Sequence, residues 1–168
     1  TDINDFLINE KGISPQKAQH VSFLAQGNLR EALHQLTDDE HLFDTYFVTW
    51  VRKAFMAAKT PTVLKDLIDW SNQIASWSRN EQKDFLNYCA EIFRQALLKT
   101  YQTDDLVFLE INAEGFKWQG FAPFINGANI EDILNEINEA SYHIDRNGNS
   151  KIILLDLSIK LTRNLHKK

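Results

Sequence analysis

The chain has 168 residues, a hydrophobic content of 43%, a mean hydropathy of -0.36 and a formal net charge of -5 at pH 7. This length allows one ordinary domain or two small ones, and the acidic balance argues against a chain that binds the DNA backbone by itself. The single cysteine, Cys89, excludes a disulfide within the chain, and no apolar run approaches the ~20 residues needed to span a bilayer. This pattern is typical of a protein of the reducing cytoplasm.

The first forty residues predict three short helices. Ser14-Pro15 is a helix start signal, because Ser accepts hydrogen bonds from the first turn and Pro suits the first helical position. Gly27 is predicted to end the second helix and Asn28 to cap the third. Arg30 falls in the first turn of the third helix, where the helix dipole favours acids over a cation. An arginine at this position is well placed to reach an anion that lies across the helix start.

A polar and acidic stretch, residues 37–40, marks the predicted boundary between two domains, residues 1–38 and residues 39–168. The second domain shows apolar residues at helical spacing, and the whole chain has only 6 Gly and 3 Pro, so the pattern predicts an all-α fold. The predicted helices cover Leu42 to Phe55, Thr60-Pro61 to about Trp77, Glu81 to Tyr101 with Asn80 as the cap, Asn129 to about Arg146, and Lys151 to Leu165. The pattern over residues 103–112 fits either a helix or a packed loop.

Two stretches of the second domain raise functional questions. The segment Phe116 to Gly127 is aromatic and broken, which fits ligand binding or base stacking, but core packing is favoured because Lys117 is its only flanking cation. The helix predicted over Lys151 to Leu165 is apolar nearly all round, and such a helix must be covered on several sides. It either fills the centre of the bundle or meets another chain. Gly148, in the break before it, suits a helix C-terminal stop.

The residues Gly27, Arg30, Ala32 and Leu33 form a Gly-x-x-Arg-x-Ala-Leu pattern that resembles the sensor-2 region of AAA+ ATPases, and specifically of clamp-loader subunits. The resemblance implies a small three-helix lid over residues 1–38, with Arg30 facing nucleotide phosphates bound by a preceding ATPase domain. Because the chain starts with Thr1 and not with Met, we expect that domain to lie upstream. The sequence has no Gly-x-x-x-x-Gly-Lys-Ser/Thr loop, so we expect no cofactor in this chain and ATP only with the upstream domain.

The second domain resembles the collar of bacterial DNA polymerase III clamp-loader subunits. In that family the collar ends with an amphipathic helix, a short Asn-rich break and an apolar helix that reads Asn-x-Lys-x-x-Leu-(x)-x-Leu. The matching residues here are Asn149, Lys151, Leu154, Leu155, Leu157 and Leu161. The long aromatic helices and residues 121–124 are most similar to those of delta-prime subunits.

The resemblance implies an assembly role in DNA replication, without a catalytic site in this chain. The implied partners are gamma/tau-like ATPase and delta-like subunits, joined through their collars into a ring, and indirectly the sliding clamp and primed DNA. Delta-prime subunits usually do not hydrolyse ATP, which leaves open whether Arg30 is a relic of a nucleotide site or a structural residue. We expect the isolated chain to be monomeric, away from membranes and without a metal, since its five histidines show no ligand spacing.

The candidate subunit interface is the last helix together with part of the Leu42 to Phe55 helix. Its predicted residues are Trp50, Lys151, Leu154, Leu155 and Ile159. Two rival interpretations stay open. One is the same region of an active gamma/tau-like ATPase, in which Gly27 and Arg30 serve a working nucleotide site. The other is an unrelated helical regulatory domain that binds an apolar ligand near Trp118 and Phe124.

Overall fold

The structure is a computed structural model that describes residues 42–101, 111 and 113–167, and five positions before them. Those five positions are Asp5, Ile8, Asn9, Pro15 and Ala18, all helical. The rest of the predicted lid lies outside the described residues, and so do Gly27, Arg30 and the predicted boundary between residues 38 and 39. The description below therefore concerns the second predicted domain.

Every regular element in the described part of this domain is helical, which confirms the all-α prediction. We number the α-helices from Leu42 onward. They are α1 (Leu42–Ala57), α2 (Leu64–Ala75), α3 (Arg79–Thr100), α4 (Trp118–Phe121), α5 (Ile130–Asp145) and α6 (Ser150–Leu165). Short 3-10 turns at Pro61–Val63 and Ala122–Phe124 precede α2 and follow α4.

Two helix starts, those of α2 and α3, differ from the prediction by more than one residue. Thr60 makes no side-chain cap, and its proline opens the 3-10 turn that leads into α2. Ser78 caps α3 in place of Asn80: its Oγ accepts the Glu81 backbone N–H at 3.2 Å, and the Glu81 carboxylate accepts the Ser78 N–H at 3.4 Å. This reciprocal pair is a capping box, which satisfies two otherwise unpaired donors and starts α3 two residues earlier than predicted.

The turn between α5 and α6 is closed by Asn147 and Gly148 together. Asn147 adopts the left-handed conformation, with φ of 63°, and its N–H donates to the Ile144 carbonyl at 3.1 Å. The Gly148 N–H donates to the His143 carbonyl at 2.8 Å, which completes a Schellman motif. Gly148 is therefore needed for close approach to α5, while Asn147 supplies the positive φ that the prediction assigned to a glycine stop.

Helix α6 is packed against α1, α2 and α5. Contacts between side chains at different levels of these helices show their relative directions. Lys53 Nζ lies 3.0 Å from Asp66 Oδ2, while the Trp70 indole N–H donates to the Tyr46 carbonyl at 3.0 Å, so α1 and α2 are antiparallel. His166 Nε2 lies 2.9 Å from the carbonyl oxygen of Phe55, and the Trp50 indole N–H donates to the Ser158 hydroxyl at 2.9 Å, so α1 and α6 are parallel. Helix α2 is consequently antiparallel to α6.

The core between these helices is rich in aromatic rings. Trp50 stacks on Trp70 with ring centroids 5.0 Å apart and an interplanar angle of 6°. Phe47 meets Phe93 and Phe121 edge to face at 5.4 and 5.7 Å. Such pairs contribute about 0.5–1.5 kcal/mol each beyond the burial of their area. They hold α1 against α2, α3 and the segment after residue 115, and α3 packs on its other side against α5.

Asn129, predicted as the first residue of helix α5, instead precedes this helix as its N-cap residue; it is fully buried, and its side chain makes no cap hydrogen bond. Its Oδ1 accepts the Asn126 N–H at 3.0 Å, and its Nδ2 donates to the carbonyls of Phe124 at 2.7 Å and Asn164 at 3.0 Å. A buried amide with all these partners ties the turn before α5 to the last turn of α6. It thereby fixes the register of the two helices.

Candidate interaction surface

The structure places two of the five predicted interface residues inside the bundle and not on its surface. Trp50 and Leu154 both have 0% of their surface exposed, and the Trp50 indole N–H donates to the Ser158 hydroxyl at 2.9 Å. A residue closed off by α1, α2 and α6 has no area to offer a partner. Lys151 is exposed, and Leu155 and Ile159 are partly buried. The candidate interface is therefore reduced to these three positions of α6 and their surroundings.

One side of α6 is occupied by α5. Lys160 Nζ lies 3.0 Å from Glu136 Oε2, and Asn164 accepts its hydrogen bond from Asn129 on the same side. Successive residues of an α-helix are rotated by about 100°, so Leu155 and Ile159 lie on the opposite side. That side of α6 faces the outer edge of α2.

The outer edge of α2 is apolar too. Asp66 and Trp70 turn toward α1, where they contact Lys53 and Tyr46. Leu64 and Ile68 lie on the other side of α2, next to α6, and are 41% and 39% exposed. Ile152, at the start of α6, is 66% exposed. We call the resulting surface the seam strip, and it consists of Leu64, Ile68, Ile152, Leu155 and Ile159.

The seam strip runs along the junction of α2 and α6. Trp50 contacts both Trp70 and Ser158, so these two residues lie at the same height in the bundle. Because α2 and α6 are antiparallel, Ile68 lies beside Ile159. From the level of Leu64 to Ile152 the strip extends over roughly eleven residues of α6, which at 1.5 Å per residue is about 16 Å.

The border of the strip is positively charged, although the chain as a whole is acidic. Lys65 follows Leu64 on α2, Arg163 comes one turn after Ile159 on α6, and Lys151 precedes Ile152. All three are exposed, and none forms an ion pair with any residue that the structure describes.

The acid on this outer part of α6, Asp156, is already paired. Its carboxylate lies 2.9 Å from Lys160 Nζ. Asp156 and Glu136 together raise the pKa of the Lys160 ammonium, because both carboxylates accept hydrogen bonds from it. Asp69, beside Ile68, belongs to the α1 side of α2 and lines a groove there. The net charge around the strip is therefore positive.

The groove between α1 and α2 has a volume of about 350 Å³ and is open to solvent. Its charged pair, Lys53 and Asp66, is self-neutralised, and the Trp70 indole N–H is used by the Tyr46 carbonyl. The groove therefore presents mainly hydroxyl, amide and carboxylate groups. Its lining residues are Thr45, Tyr46, Thr49, Lys53, Asp66, Asp69, Trp70 and Gln73.

The rings of the aromatic segment pack in two separate groups, one around Phe121 and one around Phe124. Phe121 is buried against Phe47 and Phe93, and Trp118 packs on Phe121 with centroids 6.3 Å apart. Phe124 belongs to a separate contact, 4.9 Å from Phe55. This arrangement favours the core-packing interpretation of the segment over ligand binding.

The described residues contain no group of three or more His, Cys, Asp or Glu side chains that could hold a metal ion. Cys89 is buried, and burial raises the pKa of its thiol, so the side chain stays protonated and unreactive. None of the helices in this part of the chain is both long and apolar enough to cross a bilayer. The surface of the described residues that we consider further is the seam strip with its basic border.

The five predicted interface residues do not include Leu64, Ile68 or Ile152, although Ile152 lies on the helix that is predicted to form the interface. Leu64 and Ile68 are apolar and continue the helical spacing of the buried residues of α2, so spacing alone does not identify them as exposed. A stripe centred on Leu67, Trp70 and Ile74 leaves both of them at its edge, and that offset is the signal that identifies them.

Compared with protein-family models, with characterised proteins and with solved structures, the chain gives no match. The likeness to clamp-loader subunits therefore depends on the motifs of the sequence, and what it implies about function is a proposal.

Proposed function

We propose that this chain is the C-terminal part of a bacterial DNA polymerase III clamp-loader subunit of the delta-prime type. In this proposal it is a non-catalytic assembly module of the cytoplasm. It joins gamma/tau-like ATPase and delta-like subunits, so that the complete ring loads the sliding clamp on primed DNA. ATP enters only through an ATPase domain upstream of the chain.

The observation that supports the proposal is the order of elements along the chain. The Gly27-x-x-Arg30 pattern is followed by an acidic stretch, then by a bundle made of helices, and finally by an amphipathic helix, an Asn-rich break and an apolar helix. Each motif is short, but their succession resembles that of a lid followed by a collar in clamp-loader subunits. The last two helices are α5 and α6, joined at Asn147 and Gly148.

A collar needs a surface that keeps its shape while subunits assemble. Helix α6 is held by α1, α2 and α5, so its exposed side is backed by a packed core. Apolar side chains on such a support lose little conformational freedom on binding, which favours affinity. The seam strip meets this requirement, and it includes Leu155 and Ile159 from the predicted interface.

The proposal is tested by assembly. The full-length parent is co-expressed with the clamp-loader ATPase and delta subunits of the same cell, with and without residues 42–168, and the complexes are sized by light scattering. We expect a ring-sized complex that requires residues 42–168. Normal assembly without this segment would contradict the collar role.

Arg30 favours a second candidate, in which the parent is an active gamma/tau-like ATPase. A cation in the first turn of a helix is unfavourable unless it meets an anion such as a nucleotide phosphate. This candidate predicts that the full-length parent binds ATP and that Arg30→Ala weakens this binding at least tenfold. A parent that assembles without binding ATP instead fits the delta-prime type.

A further inference from the structure

We propose that the seam strip is the docking face for an amphipathic helix of a neighbouring subunit, and that the apolar side of this partner helix is bordered by Asp or Glu. The identity of the partner as a clamp-loader subunit rests on the proposed function. The shape and charge of the partner helix are argued from the strip itself.

The shape of the strip fits a helix. Leu64 and Ile68 are spaced by four residues on α2, and Ile152, Leu155 and Ile159 are spaced by three and four on α6. Two antiparallel helices leave a shallow groove between them, and a third helix laid in that groove contacts both rows at once. A length of about 16 Å corresponds to three turns of the partner.

The charge of the border selects the chemistry of the partner. Lys65 and Arg163 flank the same end of the strip from two sides, and Lys151 lies at the other end. A basic border repels a partner with basic flanks and steers one with acidic flanks, which sets specificity and association rate more than affinity. Such contacts lie at the rim of an interface and are weakened by salt.

The test uses the full-length parent and its clamp-loader partners, with affinity measured by titration of labelled parent. Ile68→Asp and Ile152→Asp place a charge on the apolar strip, and each is expected to weaken assembly about tenfold or more. Tyr142→Asp is the matched control, because Tyr142 is 54% exposed on the outer side of α5, and its assembly is expected to be unchanged. Each variant is first checked for a normal thermal unfolding transition, and Ile152 keeps the test valid if Ile68→Asp fails to fold.

The charge argument has a separate measurement. The double variant Lys65→Glu with Arg163→Glu is expected to weaken assembly about tenfold at low salt. In 0.5 M salt, where the Debye length is about 4 Å and surface charges are screened, its affinity is expected to match that of the wild type. Lys117→Glu, an exposed charge reversal before α4, is the control. A double variant that assembles as tightly as the wild type at low salt would overturn the acidic-flank proposal.

The outcomes separate this inference from the proposed function. If residues 42–168 are required for the ring but Ile68→Asp and Ile152→Asp assemble normally, the collar uses another face and the seam strip proposal is wrong. If the wild-type parent does not join a ring at all, the proposed function fails first. If the isolated chain forms a dimer that Ile152→Asp dissociates, the occupant is a second copy, which also overturns the proposal.

Discussion

Trp50 and Ser158 form a hydrogen-bonded pair in the centre of the bundle. The indole N–H donates to the Ser158 hydroxyl at 2.9 Å, and the hydroxyl in turn donates to the Leu154 carbonyl at 2.7 Å. Both side chains are shielded from water, so neither donor has solvent as a substitute. A pair of this kind stabilises the fold mainly because breaking it leaves a buried polar group without a partner.

Replacement of Ser158 tests this pair. Ser158→Ala leaves the Trp50 N–H buried without an acceptor and is expected to lower the free energy of unfolding by about 1–3 kcal/mol, measured by urea denaturation. Thr162→Ala is the control, because the Thr162 hydroxyl donates to the Ser158 carbonyl of its own helix at 3.0 Å. Its expected effect is within about 0.5 kcal/mol. Equal effects of the two substitutions would contradict this account.

Gly148 provides a second test at a single position. A Cβ at this residue would lie 2.6 Å from Ile153 Cδ1 and 2.8 Å from the His143 carbonyl oxygen, and the carbonyl belongs to the α5 backbone. Gly148→Ala is therefore expected to destabilise the protein by about 1–3 kcal/mol in thermal or chemical unfolding. Gly120→Ala, with no atom within 4 Å of its Cβ, is expected to be neutral or stabilising by up to about 1 kcal/mol. A Gly148→Ala variant as stable as the wild type would contradict this prediction, because the turn would then accommodate the Cβ without cost.

At the scale of the helices, side chains at the start of α3 form hydrogen bonds and an ion pair with the end of α5. Arg79 Nη1 donates to the carbonyls of Ile144 and Gly148, both at 3.0 Å, and so adds a cationic donor at the C-terminal end of α5, where the helix dipole favours a positive charge. One turn further along α3, Lys83 Nζ lies 2.6 Å from Asp145 Oδ1. The hydrogen bond and the charge of Lys83 hold the pKa of the Asp145 carboxyl below its usual value.

This ion pair makes a pH-dependent contribution to stability. Because the pKa of Asp145 is lower in the folded state than in the unfolded state, the stabilisation is present at neutral pH and is lost as the pH falls below about 3.9, through the folded-state pKa. Asp145→Asn is expected to be less stable than the wild type at pH 7, with the difference in unfolding midpoint disappearing in acid. Asp69→Asn is the control, since Asp69 pairs with no residue that the structure describes. A difference for Asp145→Asn that persists in acid would show that the ion pair is not its cause.

For the complete bundle, the position of α6 has the largest consequence. Its leucines at 154, 157, 161 and 165 are all buried, and they contact helices that are far apart along the chain. Burial of one leucine contributes about 1.5–3 kcal/mol, while the net stability of a domain is only about 5–15 kcal/mol. The last helix is thus a central element, and the alternative that it only meets another chain is excluded for its buried side.

Truncation tests this central role. A chain ending at residue 149 is expected to lose cooperative unfolding, as measured by circular dichroism and calorimetry. A chain ending at His166 keeps the contact with Phe55 and loses the exposed ion pair between Lys167 and Asp132. Because exposed ion pairs contribute little to stability, this chain is expected to unfold close to the wild type. Cooperative unfolding of the shorter chain would show that α1, α2, α3 and α5 form a core without α6.

The helices themselves could be predicted from the sequence. Their existence follows from apolar spacing and from breaks such as residues 147–150, which are local properties of the chain. The ends of the helices differ from the predicted ones where another residue forms the cap, as at the start of α3, which Ser78 caps in place of Asn80. The exact partner of each cap depends on backbone geometry that spacing does not contain.

Only the tertiary structure shows which face of each helix is exposed. Helix α6 is apolar nearly all round, so its periodicity cannot distinguish the side that meets α2 from the side left open, and Trp50 and Leu154 were assigned to the surface although they are buried. Conversely, Leu64 and Ile68 have the apolar spacing of buried residues and yet lie on the seam strip. Helix formation depends on residues three and four apart, whereas burial depends on how many other helices surround each residue, and that number is set only when the bundle assembles.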